Sequence, residues 1–313
     1  MKKFKKLLVA VLMMVFTFTL ASCDKSCNLE YTDENGETTS LKVQATEDKE
    51  EVYEVVSALN SYAATKDEVT FKKIGVSVNV NAEMKAEGVD LKADAKAKLE
   101  ISDAMKAYAN VDANFKFVQS IADESMTMEG SVDGDAYLDE TGAYLDLDMS
   151  MKQNGVESSN SMKNMIPFEV ISGMLEDMMG DMGSMDSAMP DIEIPDLSAK
   201  DEVLAFIETY GITISATSKS TITFKISAPV AELSEDAAEM FADSKIDVYF
   251  TLDINNMMPV SFEINADSLF ADLKEAGQIN SGKLTFKVNL TYGNGDVKTL
   301  TDAQKGEFTV LPM

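Results

Sequence analysis

The chain of 313 residues contains no histidine and no tryptophan, only two cysteines, and no arginine anywhere along its length. Each lack removes a class of chemistry. Without histidine there is no imidazole base for a Ser-His-Asp triad and no histidine-bound zinc. Without arginine there is no arginine finger and no bidentate guanidinium clamp on a phosphate or carboxylate. Acid–base work falls to Asp, Glu, Lys or Tyr. A carboxylate pair of the glycosidase kind remains open, but nothing in the sequence singles one out. The composition therefore points to a protein that is not an enzyme.

Cysteine is scarce in an informative way. Cys23 follows the stretch "MKKFKKLLVAVLMMVFTFTLAS", with four lysines before an apolar run from Leu7 to Leu20. Fourteen apolar residues are too few to span a hydrocarbon core of roughly 30 Å comfortably, so the run has the form of a signal-peptide core. It ends in Leu20-Ala21-Ser22-Cys23. A leucine and two small residues before a cysteine match the bacterial lipobox. This predicts that residues 1–22 are a lipoprotein signal peptide and that Cys23 carries an N-terminal diacylglyceryl group. The localisation that follows is the extracytoplasmic face of a bacterial membrane, held by lipid. With Cys23 so used, Cys27 has no partner for an internal disulfide.

Charge is one-sided: 54 acidic residues against 27 basic ones, a formal net charge of −27. So negative a chain repels nucleic acid and anionic headgroups, which excludes both as partners by charge. The acidic pairs Asp133/Asp135, Asp139/Glu140, Asp146/Asp148 and Asp177/Asp181 lack the alternating ligands and closing glutamate of an EF-hand, and read as turns and solvated faces. No metal or other cofactor is expected.

What is present is mostly period two. Residues 23–47 read as the lipidated cysteine and a polar tether with a short hairpin around "DENGETT". A helix over 48–62 follows from Val52, Val55, Val56, Leu59 and Tyr62 on one face. Alternation then begins at Ile74, Val76, Val78 and Val80. It continues through Val89, Leu91, Ala93, Ala95, Ala97, Leu99 and Ile101, and through Val111, Ala113, Phe115 and Phe117. A hairpin is expected at Glu140-Thr141-Gly142. Five further alternating stretches lie between Ile212 and Tyr292. One wet face and one apolar face mark antiparallel strands. Near 162–210 the strand period is expected to stop, in a helical insert running from Phe168 through Ile171, Met174, Leu175, Met178, Met179 and Met182. A second helix is expected to be capped by Ser198 and Asp201, and a short third one to start after Ser234.

Lipobox, polar tether, N-terminal helix, long strands, helical insert and more strands: this order resembles the lipoprotein carriers of the LolA and LppX/LprG type. The segments "VDGDAYLDETGAYLDLDM" and "YFTLDINNMMPVSFEI" are similar to relatives of unknown function in Gram-positive bacteria. The resemblance implies one α+β domain over 48–313: a strongly curved antiparallel half-barrel of about ten strands, its concave face covered by helices. It implies an apolar ligand, such as a lipid, between sheet and helices.

Six methionines fall within Gly173–Met189. They read as ordinary core or as an adaptable cover on the sheet, because thioether chains pack against variable apolar shapes. Met179, Met182 and Met185 have the spacing of a Cu(I)-binding thioether motif, the weaker alternative. The residues expected to line a ligand space are Ala93, Ala95, Ala97, Phe115, Phe117, Ile171, Met174, Leu175, Met178, Met179 and Met182. A structural or interaction lipoprotein with a solid core is the rival function.

Overall fold

The structure is a computed structural model, and it describes residues 27–32, 38–64, 70–102, 106–121, 124–168, 170, 199–230 and 244–311. In chain order the elements are β1 (Cys27–Thr32), β2 (Thr38–Val43), α1 (Lys49–Ala64), β3 (Lys73–Ala86), β4 (Val89–Ser102), β5 (Ala107–Ile121), β6 (Glu124–Asp139), β7 (Gly142–Gln153) and β8 (Val156–Pro167). They continue with α2 (Lys200–Thr209), β9 (Thr213–Ala216), β10 (Thr221–Pro229), β11 (Lys245–Asp253), β12 (Met258–Asn265), α3 (Asp267–Glu275), β13 (Ser281–Gly293), α4 (Asp302–Lys305) and β14 (Thr309–Val310). The described residues are mostly strand. They divide into two compact units, Met1–Val69 with Pro190–Leu269, and Thr70–Met189 with Phe270–Met313, where the sequence suggested one domain from 48 onward.

The first unit holds the filled core. Strands β9, β10, β11 and β12 pair in that order, all antiparallel. Their registers put Ile214, Ile222, Phe224, Ile226, Phe250 and Leu252 on one face, and all but the half-buried edges of that face are sealed. Helices α1 and α2 supply the other half of the core. The Asp48 carboxylate accepts from the Glu50 and Glu51 amides at 2.9 and 3.1 Å, which caps α1 and starts it. Val52, Val55 and Leu59 then recur at helical spacing and are buried against the cluster, with Val203 and Ile207 from α2. Ala199, not Ser198, takes the N-cap position of α2, and it makes no side-chain cap bond. Ion pairs Lys49–Glu208 and Lys200–Glu50, both 2.6 Å, tie the two helices on their wet side.

The expected tether is part of this core. β1 and β2 form an antiparallel hairpin from Cys27↔Val43 to Thr32↔Thr38, with Cys27 and Val43 fully buried beside α1. The correction has a simple cause: Cys27 and Val43 at the open end of the hairpin are buried and Leu41 packs against the same cluster, which docks it although residues 33–37 are polar. Burial pushes the free Cys27 thiol up to about 11, so it is inert rather than reactive.

The second unit is a run of long strands in the order β14-β8-β7-β6-β5-β4-β3-β13. All neighbours are antiparallel except β14 on β8. The strands β3 to β6 are 14 to 16 residues long because their alternation is unbroken by proline. Their turns are short. Asn154 and Gly155 carry φ of 48° and 84°, the left-handed pair that a two-residue hairpin between β7 and β8 needs. The hairpin expected at Glu140-Thr141-Gly142 is present between β6 and β7.

β8 reaches Pro167, so the strand pattern extends six residues into the stretch expected to be helical; Met162 and Met165 are strand residues. Cross-strand bonds to β7 over Gly142↔Pro167 outweigh the weak local pattern there. The remainder of the expected Met-rich helix, and the helix expected after Ser234, lie outside the described residues.

Candidate functional site

The registers of the second unit put residues of one parity on a single continuous face. Ile74, Val76, Val78 and Val80 of β3 lie opposite Ile101, Leu99, Ala97 and Ala95 of β4. These in turn face Ala107, Ala109, Val111 and Ala113 of β5, and the set continues into Val132 on β6 and Leu145, Leu147 and Met149 on β7. On the other side, Leu284, Phe286, Val288 and Leu290 of β13 extend it from β3. Six strands thus share one apolar face, and the opposite parity is charged or polar.

The structure brings several of the expected lining residues together. Ala93 sits directly opposite Phe115, Ala95 opposite Ala113, Ala97 opposite Val111, and Phe117 opposite Leu91. Phe115 lies over Gly130 on the next strand, where any β-carbon would collide with its ring. Glycine at 130 is therefore what lets the ring lie flat against the sheet. Ile171, Met174, Leu175, Met178, Met179 and Met182, with Met185 of the copper motif, lie outside the described residues, as does Cys23.

Burial does not follow the expectation. The alanine strand was expected to have a buried face under helices, yet Ala93 and Ala95 are half-buried and Ala97 is exposed. Phe115 keeps 38% of its surface in solvent, Ile101 44% and Met151 48%. α1 and α2 pack on the sheet of the first unit. Within the second unit, Phe270 of α3 packs on Gly282 of β13. Ile74, Ile101, Phe115 and Met151 thus give this face exposed apolar side chains, the kind of surface on which contacts form.

The polar face holds the unit's strongest electrostatics. An open groove of about 390 Å³ there is bordered by Lys92, Asp94, Asn114, Lys116, Glu129 and Lys152. Lys92–Glu83 at 2.7 Å and Lys116–Glu129 at 2.6 Å neutralise one another along it. Nearby, the C-terminal segment is fastened by a cluster that sequence reasoning missed. Asp135 accepts from Tyr108 at 2.8 Å, Tyr137 at 2.9 Å, Asn110 at 3.1 Å and Lys298 at 3.0 Å. The Lys298 ammonium also sits 4.3 Å from the centroid of the Tyr108 ring. Partial burial alone would raise Asp135; the Lys298 ammonium and the tyrosine hydroxyls outweigh it and hold the carboxyl down at about 2. Burial likewise acts to lower Lys298, and its bonds to Tyr137, Asp135 and Tyr108 carry it above the usual lysine range instead. Further along, Lys305–Asp139 at 2.6 Å and Lys163–Glu307 at 2.9 Å continue the fastening, and Phe308 packs edge-on against Tyr144. Tyr108 and Tyr137 stand opposite one another across β5 and β6, a pairing visible in the alternation. Their lysine comes from far along the chain, and no local signal marks it.

This cluster is a structural clasp with a defined pH range. Asp135 is depressed below its ordinary value of about 3.9, so its contribution is whole above about pH 4 and fades as pH falls towards 2. Lys298 is raised, so its contribution is whole below about pH 10 and is lost only at higher pH. Lys298→Met is expected to cost about 1 kcal/mol, a hydrogen-bonded ion pair discounted for exposure. Amide-exchange protection at Leu311, whose N–H donates to the Met165 carbonyl, should fall about fivefold at neutral pH. Unchanged protection in that variant would show that the clasp does not hold the C-terminal strand.

Among the described residues no helix is long and apolar enough to cross a membrane, and no group of three or more carboxylate or thiol side chains is placed to hold a metal ion. No family model matches the chain, and no curated protein matches it. Among solved structures, a β-barrel-like protein of a domain of unknown function, DUF1849, from Brucella abortus aligns with 72% of this chain and 98% of its own, at 10% identity and a TM-score of 0.17.

Proposed function

We propose that this chain is a non-catalytic, lipid-anchored lipoprotein of the extracytoplasmic face, tethered through a diacylglyceryl group on Cys23, that binds an apolar ligand such as a lipid on the long-stranded sheet. The observation that carries the reading is the six-strand apolar face with Phe115, Ile101 and Met151 left open to solvent among the described residues. Burying apolar surface is worth about 25 cal/mol per Å², so an acyl chain laid along such a face gains several kcal/mol without any polar anchor. Long strands suit a long ligand: at about 3.3 Å per residue, fourteen residues give on the order of 45 Å of apolar track. The lipobox and the order of elements support the same reading.

The rival, an envelope interaction protein with a solid core, draws on the filled core of the first unit. Mass spectrometry of an organic extract from purified, unlipidated protein separates the two. A stoichiometric apolar compound is expected. Protein free of any such compound, and unable to take up a fluorescent fatty acid, would sink the carrier reading.

A further inference from the structure

β8 ends the strand run of the second unit on one side, and only its C-terminal part carries another strand. β14 lies parallel to it at Thr309↔Asn164 and Val310↔Met165, and the Leu311 N–H donates to the Met165 carbonyl at 3.0 Å. That bond reveals which way the peptide groups of β8 point. Along a strand, successive residues turn their N–H and C=O to opposite sides. Residues with the parity of Met165, namely Glu157, Ser159 and Ser161, therefore turn both groups away from β7. Among the described residues no strand pairs with them.

The usual guards against edge pairing are missing here. The register between β7 and β8 runs from Gly142↔Pro167 to Gln153↔Val156 with no bulge. No proline interrupts residues 156–163, and Glu157 is the only charge before Lys163. Every side chain from Val156 to Ser161 is exposed, and the turn at Asn154-Gly155 is too tight to fold over the edge. β14 shows within the chain that this side of β8 accepts an added strand. A polar, unbulged edge of this kind, unpaired among the described residues, is a template for another strand.

We propose that the free edge of β8 pairs antiparallel with the same edge of a second copy of this chain, about a two-fold axis through Ser159. Outward-turned residues must meet outward-turned residues, which limits the registers to those that pair odd-numbered positions. In the register centred on Ser159, that residue faces the partner's Ser159 and Glu157 faces the partner's Ser161. No like charges oppose one another, and Glu157 lies diagonally from the partner's Lys163, within reach of long side chains. Centring on Asn160 instead would set Glu157 opposite the partner's Lys163, where β14 already joins at Asn164. The C-terminal strand thus selects the register. About six backbone hydrogen bonds form. The contact is isologous, so it closes as a dimer and uses up this edge on both copies.

Sedimentation of the purified chain, lacking its leader, over micromolar to millimolar concentration tests the pairing. A monomer–dimer equilibrium is expected, and Ser159→Pro should abolish it, since proline removes an outward N–H while leaving the β7 side intact. An independent arm uses cysteine, with Cys23 replaced by serine. Paired residues on hydrogen-bonded sites lie about 5.5 Å apart at Cα, within the range a disulfide spans. Ser159→Cys should cross-link between copies at least tenfold faster than Asn160→Cys under mild oxidation. A chain that stays monomeric at millimolar concentration, a dimer untouched by Ser159→Pro, or cross-linking that is equal or faster at position 160 would each overturn the proposal. A monomeric chain whose edge binds only a foreign extended peptide counts against it in the same way.

Discussion

Phe224→Ala is expected to cost the first unit about 3–5 kcal/mol, whereas Phe115→Ala in the second should cost less than about 1 kcal/mol. The two phenylalanines sit at matching places, mid-strand on the apolar parity of an antiparallel sheet, and differ only in what lies above them. Phe224 is fully buried among Phe250, Ile214 and the helix residues Val52 and Leu59. Its removal loses the transfer free energy of a benzyl group and leaves a cavity that the two helices cannot close without breaking their ion pairs. Phe115 keeps more than a third of its surface in water, and its ring rests on Gly130, which has no side chain to collapse into the gap. Urea unfolding monitored separately for each unit measures both values. A cost at Phe115 comparable to that at Phe224 would mean that the apolar face is covered, and would remove the basis for ligand binding there.

Replacing Val111 and Val132 together with lysine is expected to lower recovery of the apolar ligand at least tenfold while leaving the fold intact. The two positions lie on neighbouring strands of the apolar face, both half-buried, near the middle of the strand run. A lysine there can lift its ammonium into solvent while its stem lies along the sheet, so the free chain tolerates it. A bound acyl chain does not, because covering the ammonium removes its hydration without supplying a partner. Tenfold corresponds to about 1.4 kcal/mol, a modest demand on two buried charges. The quantity read is ligand per protein in an organic extract, beside the unfolding midpoint. Equal loading in variant and parent would place the ligand elsewhere or remove it altogether.

These contrasts bear on how far residues alone lead. Strand identity was legible because alternation is a local property: Ile74 to Val80 or Ala93 to Ile101 can satisfy a half-wet sheet in only one way. The same alternation correctly aligned Ala93 with the apolar parity of Phe115. It could not say whether that parity is covered, since coverage depends on where the helices go. Val52, Val55 and Leu59 advertise an apolar stripe but not its destination, and the stripe docks on Ile214, Ile222 and Phe224. The hairpin at Cys27 and Val43 was misjudged for the opposite reason. Cys27, Leu41 and Val43 in a largely polar stretch carry little pattern, yet they pack on the cluster and dock it. The fastening of Asp135 by Lys298 joins residues 163 positions apart, and no periodicity spans such a distance.

By itself the sequence determined the strands and their apolar parity, the hairpin at Glu140-Thr141-Gly142, the excess of negative charge, and the want of imidazole and guanidinium chemistry. All of these follow from side-chain type and short-range spacing, which act before any long-range contact forms. Tertiary structure decided which of two apolar sheet faces was filled, which edge strand stayed bare, and which lysine closed on which carboxylate. Those outcomes depend on competition among distant surfaces for the same few helices and the same C-terminal segment, and that competition is resolved only when the chain is folded.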